Sequence, residues 1–418
     1  MAVYAPTATY DAVQSPDPVA AAVPAWQYAA HGNFNLDAFA DMVPWFVPGQ
    51  DHVVSDRMPG VIIFAIPFYW ALPTGSEPTM VPGAVAAAVA AAGAMTLLHV
   101  LLRRLVTPSA AVGGALLAGV ATSTWTVSAN GPWPHGVDQL CLTAALWAVS
   151  ARAWWASGPF FGFAVFTRPP TAVVAAVVGL AETWRARWIA PALAIATASL
   201  AGLAAVVAYN VALFGEVAVA AGYFRRDEPL LPPSSLLAYG ENVAGTLVSP
   251  DRGILVLSPL LLALLLGLGR AWRAAPGWAR SAALAGVVYM LVHLALNRFS
   301  GGDNFYSYRL PLEMLTLAAP LLAVAWREWT SVTARRRRWF VGLAGVSVLV
   351  HALGAIFWTP TFHEASPWTN FKVAEAVDSG GLAVLPVVGV VAGATVLAMV
   401  LAGRQTAGTA TPPGEGSM

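Results

Sequence analysis

Apolar runs of about membrane length recur from residue 59 to residue 403, punctuated by arginines and by Pro/Gly breaks, and they constrain this 418-residue chain more than any other feature. They lie near 59–73, 80–102, 108–128, 137–156, 159–181, 188–214, 253–269, 279–297, 306–326, 339–358 and 381–403. A helix needs ~20 apolar residues to cross a bilayer, and most of these runs supply them without the polar stripe of a water-exposed helix. Composition agrees: 58% of residues are hydrophobic and 10% charged, against roughly a quarter charged in soluble domains. The expected fold class is therefore an all-α polytopic membrane protein. Three parts are expected: an extracytoplasmic loop with interfacial helices over 1–58, a transmembrane bundle of about 10–11 segments over 59–403, and a disordered cytoplasmic tail over 404–418.

Several function classes drop out. A net charge of +1 offers no electrostatic footprint for nucleic acid. The lone Cys141 excludes an intrachain disulfide framework and a cysteine metal site. No zinc, EF-hand, Walker or dinucleotide motif occurs, and no repeat of solenoid period.

Orientation follows from arginine, because loops rich in Arg and Lys stay cytoplasmic. Arg103 and Arg104, Arg185 and Arg187, Arg270, Arg273 and Arg280, Arg327 with Arg335 to Arg338, and Arg404 flank the runs on one side. Loops 215–252, 298–305 and 359–380 then fall outside. Parity requires two adjustments nearer the N-terminus. Segment 59–73, short and holding Pro59, Pro67 and Pro73, is read as interfacial or re-entrant. Segment 159–181 must begin and end on the cytoplasmic side, with Arg168-Pro169-Pro170 as the break of a hairpin or broken helix. Such a break survives only where protein or a wet cavity satisfies its backbone. The first 58 residues carry Asp11, Asp17, Asp37, Asp41, Asp51 and Asp56; an acidic external loop at the start of the chain implies a membrane helix upstream of it.

Charged groups in or beside a bundle are costly unless paired or wet, which makes them the best site candidates. Asp17 stands between Pro16 and Pro18, in a turn whose local donors are removed, although Asp in such turns commonly caps a helix. Asp56 and Arg57 open segment 59–73, where they either clamp a polar headgroup or mark the interface. His135 and Asp138 follow Trp133-Pro134 in an external turn. Asp251 and Arg252 precede Gly253 at a helix start, where a guanidinium and free N–H groups can meet a phosphate. Arg309 and Glu313, four apart, share a helix face, either as structural support or with Arg309 facing a lipid phosphate.

The order of these stretches resembles the GT-C superfamily of membrane glycosyltransferases, in its bacterial branch related to protein mannosyltransferases. The resemblance rests on the aspartate loop 11–58, Ser55-Asp56-Arg57-Met58-Pro59-Gly60, Trp133-Pro134-His135-Gly136, Thr167-Arg168-Pro169, Ser249-Pro250 through Ser258-Pro259, and Gly301-Gly302 through Arg309. It implies transfer of a sugar from a polyprenyl-phosphate donor to a glycan, lipid or protein acceptor, in the bacterial plasma membrane, with the active site extracytoplasmic. Asp17 would be the catalytic base, and Arg252 and Arg309 would hold the phosphate. Asp56, Arg57, His135, Asp138, Arg168, Asp251 and Glu313 would complete substrate binding. A single displacement would invert the anomeric centre, whereas retention would use a second carboxylate. No cofactor is implied with certainty, and a divalent metal is left open. A transporter or flippase, with its broken helices and intramembrane charge, is the main alternative; a non-catalytic assembly subunit is the other.

Overall fold

The computed structural model describes residues 1–10, 15–72, 74–225, 233, 235–302, 304–359 and 366–404. Asp11, Arg226, Asp227, Glu228, Asp303 and nearly all of the tail 404–418 lie outside them. Among the described residues the regular structure is helical apart from one short ribbon. After a turn of helix α1 (Tyr4–Thr7) comes α2 (Pro16–His31), then strands β1 (Phe46–Pro48) and β2 (Val53–Ser55), paired antiparallel with Phe46 opposite Ser55. Helix α3 (Pro59–Ala71) follows, then α4 (Val81–Leu102), α5 (Pro108–Val120), α6 (Pro134–Ser150), α7 (Trp154–Thr167), α8 (Ala172–Ala186) and α9 (Ala190–Phe214). The second half holds α10 (Leu236–Val248), α11 (Ile254–Leu257), α12 (Leu260–Leu265), α13 (Leu268–Ala274), α14 (Gly277–Leu296), α15 (Leu312–Glu328), α16 (Ala334–Phe357), α17 (Lys372–Gly380) and α18 (Val384–Arg404).

Proline starts many of these helices. It occupies the first turn of α2, α3, α4, α5, α6 and α9, where its missing N–H is one of the unpaired donors anyway and its fixed φ suits the helix. Among the described residues five helical stretches are long and apolar enough to cross a membrane: Val81–Leu102, Ala190–Phe214, Gly277–Leu296, Ala334–Phe357 and Lys372–Ala402. The chain is thus an all-α polytopic membrane protein.

The shorter helices surround the site. The run at 159–181 is two helices, α7 and α8, joined by a turn at Pro169–Thr171, so of the two forms expected, hairpin or broken helix, it takes the hairpin, with Arg168 at its tip. Helix α3 meets that tip at Gly60, where a Cβ would fall 2.5 Å from Thr167 Cα; only glycine allows the approach. The run at 253–269, expected as one span, is broken into α11, α12 and α13. Pro259 supplies no N–H and interrupts the helix. The polar groups at the break are taken up by side chains: Ser258 Oγ donates to Ala121 O at 2.9 Å and lies 2.7 Å from Tyr308 Oη and 3.0 Å from His351 Nε2, while Leu260 N donates to Ser347 Oγ at 3.1 Å. Irregular backbone at membrane depth requires such partners. The run at 306–326 likewise begins as a loop, and its helix starts at Leu312.

Helix α2 is buried from Asp17 to Gln27 and packs on α3 and α4, with Val19, Trp26, Ile62, Ile66, Val137 and Leu142 in one shared core. Ser55 donates to Ala20 O at 2.5 Å and locks the ribbon to α2.

Candidate active site

Asp17 sits in the first turn of α2, after Ser15 at the N-cap. It caps nothing, because prolines on both sides leave few local N–H groups to accept from. Its carboxylate instead accepts from two guanidinium groups that reach it from distant parts of the chain, Arg57 to Oδ1 and Arg309 to Oδ2. Arg57 follows β2 and is held by Asp56, with Nε to Oδ1 at 2.8 Å. Its guanidinium lies 5.4 Å from the Trp45 ring centroid and 5.2 Å from that of Tyr223. Burial pushes the Asp17 carboxyl up, but the charges of Arg57 and Arg309 outweigh it and hold the group below its ordinary value. Asp56 shows the opposite balance: burial dominates over Arg57 and raises it to about 6.

A second layer lies beneath. His135 comes in the first turn of α6, Arg168 at the tip of the α7–α8 hairpin and Glu313 in the first turn of α15. His135 Nδ1 is 2.8 Å from Glu313 Oε1, and Arg168 Nη1 is 2.7 Å from the same ring nitrogen and 3.4 Å from the carboxylate. A ring nitrogen that donates cannot also accept, so Nδ1–H donates to Glu313, while Arg168 Nη1 pairs with that carboxylate and lies 2.9 Å from Nε2, the ring nitrogen left to accept. Asp138, one turn beyond His135, is fully buried, and neither of its carboxylate oxygens has a hydrogen-bond donor among the described residues. A buried carboxylate left so is costly unless it takes up a proton or meets a partner from outside the chain.

Arg252 is placed differently. It is 2% exposed, and its Nη1 donates to the carbonyls of Phe305 and Ser307, each at 2.8 Å, with Nη2 3.3 Å from Gly302 O. It also pairs with Asp251 at 3.1 Å. It therefore clamps loop 301–307, whose backbone is unusual: Gly301, Gly302, Asn304 and Ser307 all have positive φ, and for the two non-glycine residues that conformation is strained. Phe305 links both arginines, its ring centroid 3.9 Å from the Arg252 guanidinium and 5.0 Å from that of Arg309. Trp133 covers Arg309 at 5.1 Å.

The structure thus joins Asp17, Asp56, Arg57 and Arg309 in an outer cluster and His135, Asp138, Arg168 and Glu313 in an inner one, and sets Asp251 and Arg252 behind the loop that carries Arg309. Sequence reasoning paired none of Trp45, Tyr223, Trp133 and Phe305 with an arginine, although Trp133 stood in the Trp133-Pro134-His135-Gly136 stretch; aromatics in an apolar chain look like core or interface anchors until a cation is seen on them. Among the described residues no group of three or more His, Cys, Asp or Glu side chains could hold a metal ion.

No protein-family model matches the chain, and a search of curated proteins finds no relative. Solved structures do match. The crystal structure of ArnT from Cupriavidus metallidurans bound to undecaprenyl phosphate is 15% identical with a TM-score of 0.53, covering 97% of this chain and 76% of that one. The apo state of the same protein gives 15% identity and a TM-score of 0.55, over 97% and 75%. The resemblance drawn from the sequence holds as a likeness of fold.

Proposed function

We propose that the chain is a GT-C glycosyltransferase that moves a glycosyl group from a polyprenyl-phosphate donor to a hydroxyl of an envelope glycan, lipid or protein, in a bacterial plasma membrane with the site on the extracytoplasmic side. The observation that carries this reading is the buried carboxylate of Asp17 held between the guanidinium groups of Arg57 and Arg309. The likeness in fold to a structure bound to undecaprenyl phosphate supports a lipid phosphate as the anion those arginines meet.

The outer cluster is neutral as it stands, since two carboxylates face two guanidinium groups. A carboxylate paired in this way is a weak base. When a donor phosphate arrives, Arg57 and Arg309 gain a better acceptor, and Asp17 loses part of the charge that holds its proton affinity down. Asp17 then accepts the proton of the acceptor hydroxyl as that oxygen attacks C1. The bond from C1 to the phosphate oxygen breaks, its electron pair leaves with the phosphate, and the arginines offset the charge that develops there. Attack from the face opposite the leaving group inverts the anomeric centre. Arg252 acts through the loop, aiming Arg309, while Asp138 and the His135–Arg168–Glu313 group present polar atoms to the sugar or acceptor.

The test is turnover of a labelled polyprenyl-phosphate sugar by purified Asp17→Asn, with thermal stability measured alongside. The variant should fold and lose ~10²-fold or more in turnover. Turnover near that of the wild type would remove Asp17 from the chemistry.

A further inference from the structure

The external cluster leaves unexplained a cavity at the opposite, arginine-rich ends of the helices. It has a volume of ≈ 360 Å³ and lies among α4, α5, α12, α15 and α16, with walls that include Gly113, Leu117, Leu261, Leu322, Trp326 and Phe340. It follows α5 from Ser109 to Thr122, a depth of ~20 Å at the helical rise of 1.5 Å per residue,. A space of that volume over that depth admits a single hydrocarbon chain and not a helix, which is ~10 Å across. Its inner end is closed by polar residues: Gln139 Nε2 donates to Thr124 Oγ1 at 3.1 Å and to Thr316 Oγ1 at 2.8 Å.

The mouth supplies the second observation. Arg337 lines the cavity, and among the described residues its one side-chain hydrogen bond is a long one, from Nη1 to Ser331 O at 3.3 Å. Its Nε and Nη2 are buried and have no hydrogen-bond partner among the described residues. Arg335, Arg336 and Arg338 surround it in sequence, and Glu328, the nearest carboxylate along the chain, is taken by Arg327 at 2.7 Å. Buried donors on a cation beside an apolar cavity ask for an anion that brings its own hydrocarbon. Basic pockets between membrane helices commonly meet anionic lipid headgroups.

We propose that this cavity binds one anionic glycerophospholipid from the leaflet that the arginine-rich ends face, with its phosphate on Arg337 and one acyl chain running toward Gln139. The depth matches such a chain, since one leaflet of the hydrocarbon core is ~15 Å thick. A polyprenyl phosphate fits poorly: its chain is far longer than the cavity, and one whose phosphate is held at Asp17, Arg57 and Arg309 would have to pass the Gln139–Thr124–Thr316 layer. The proposal rests on the cavity and on Arg337; the glycosyltransferase reading bears only on where a polyprenyl phosphate would be held.

Native mass spectrometry of the full chain in detergent tests it, using added phosphatidylglycerol with phosphatidylcholine as the neutral comparator. Wild type should hold one phosphatidylglycerol in preference to phosphatidylcholine. Arg337→Gln should weaken that binding by ~10-fold or more, as expected for loss of a charge-assisted hydrogen bond. Gly113→Leu should weaken it for both lipids by filling the cavity; a Cβ at Gly113 meets nothing within 4 Å, so the chain should still fold. Arg103→Gln, an exposed arginine outside the cavity, should change nothing. Loss in Arg103→Gln equal to that in Arg337→Gln would reduce the effect to general surface charge and overturn the site. Unchanged binding in both cavity variants, or a retained polyprenyl phosphate that Arg337→Gln releases, would overturn it as well.

Discussion

Arg252 and Arg309 stack on the same phenylalanine, Phe305, yet they are built for different tasks. Arg252 is sealed in and spends its donors on the carbonyls of Gly302, Phe305 and Ser307, acceptors that cannot leave. Arg309 lies nearer the surface, its side chain 16% exposed, and gives its donor to the carboxylate of Asp17, an acceptor that a phosphate can replace. The lesson is that a buried cation reveals its role by what holds it: fixed backbone acceptors make it part of the scaffold, and an exchangeable carboxylate leaves it available for a ligand.

The two arginines should differ most in what they contribute to stability. Arg252→Ala leaves three carbonyls and Asp251 without their main donor and should cost ~3 kcal/mol or more of folding stability, the usual scale for breaking a buried pair. A variant that melts like wild type but binds donor poorly would put Arg252 in the site and erase the distinction. Next comes Arg309→Ala, which should melt close to wild type and weaken donor binding by ~10- to 100-fold. Arg309→Lys should recover only part of that, since the planar fork that serves both Asp17 and a phosphate is gone.

A pH series sharpens the outer cluster. Burial raises the Asp56 carboxyl to about 6 in the folded chain, above its unfolded value, so the stability linked to its protonation is present in acid and lost as pH rises through about 6. Asp17, held low, acts in the opposite sense and at lower pH. The melting temperature of wild type relative to Asp56→Asn should therefore rise as pH falls from about 7 to about 5; a flat difference would show that Asp56 is ionised throughout. The smallest effects belong to Asp37, Asp41 and Asp51, which belong to neither cluster. Their Asn variants should stay within ~0.5 kcal/mol of wild type and keep full turnover.

The apolar runs made the helices legible, and the arginine pattern asked for a hairpin or broken helix at Arg168-Pro169-Pro170 before any contact was known. Asp17, Arg57 and Arg309 were each legible as charges in the wrong solvent. Their meeting was not, because Asp17 and Arg309 are 292 positions apart and nothing local in either segment encodes the other. The break at Ser258-Pro259 was missed for a similar reason. An apolar run containing one proline reads as a kinked span, and the partners that let it break fully, Ser347 and His351, belong to a helix far along the chain. The loop clamped by Arg252 was equally hidden, since a backbone carbonyl leaves no mark in a sequence.

In the proposed mechanism Asp17 and a lipid phosphate compete for the same two arginines. Binding of a polyprenyl phosphate to purified wild type and Asp17→Asn, at matched ionic strength and with folding verified by melting temperature, tests it most directly. With the carboxylate charge removed, Arg57 and Arg309 are freed, so Asp17→Asn should bind the phosphate as tightly as wild type or more tightly while its turnover falls. Loss of binding together with turnover, in a variant that remains folded, would contradict the account: Asp17 would then be needed to hold the arginines in place and would not be the group that a phosphate displaces.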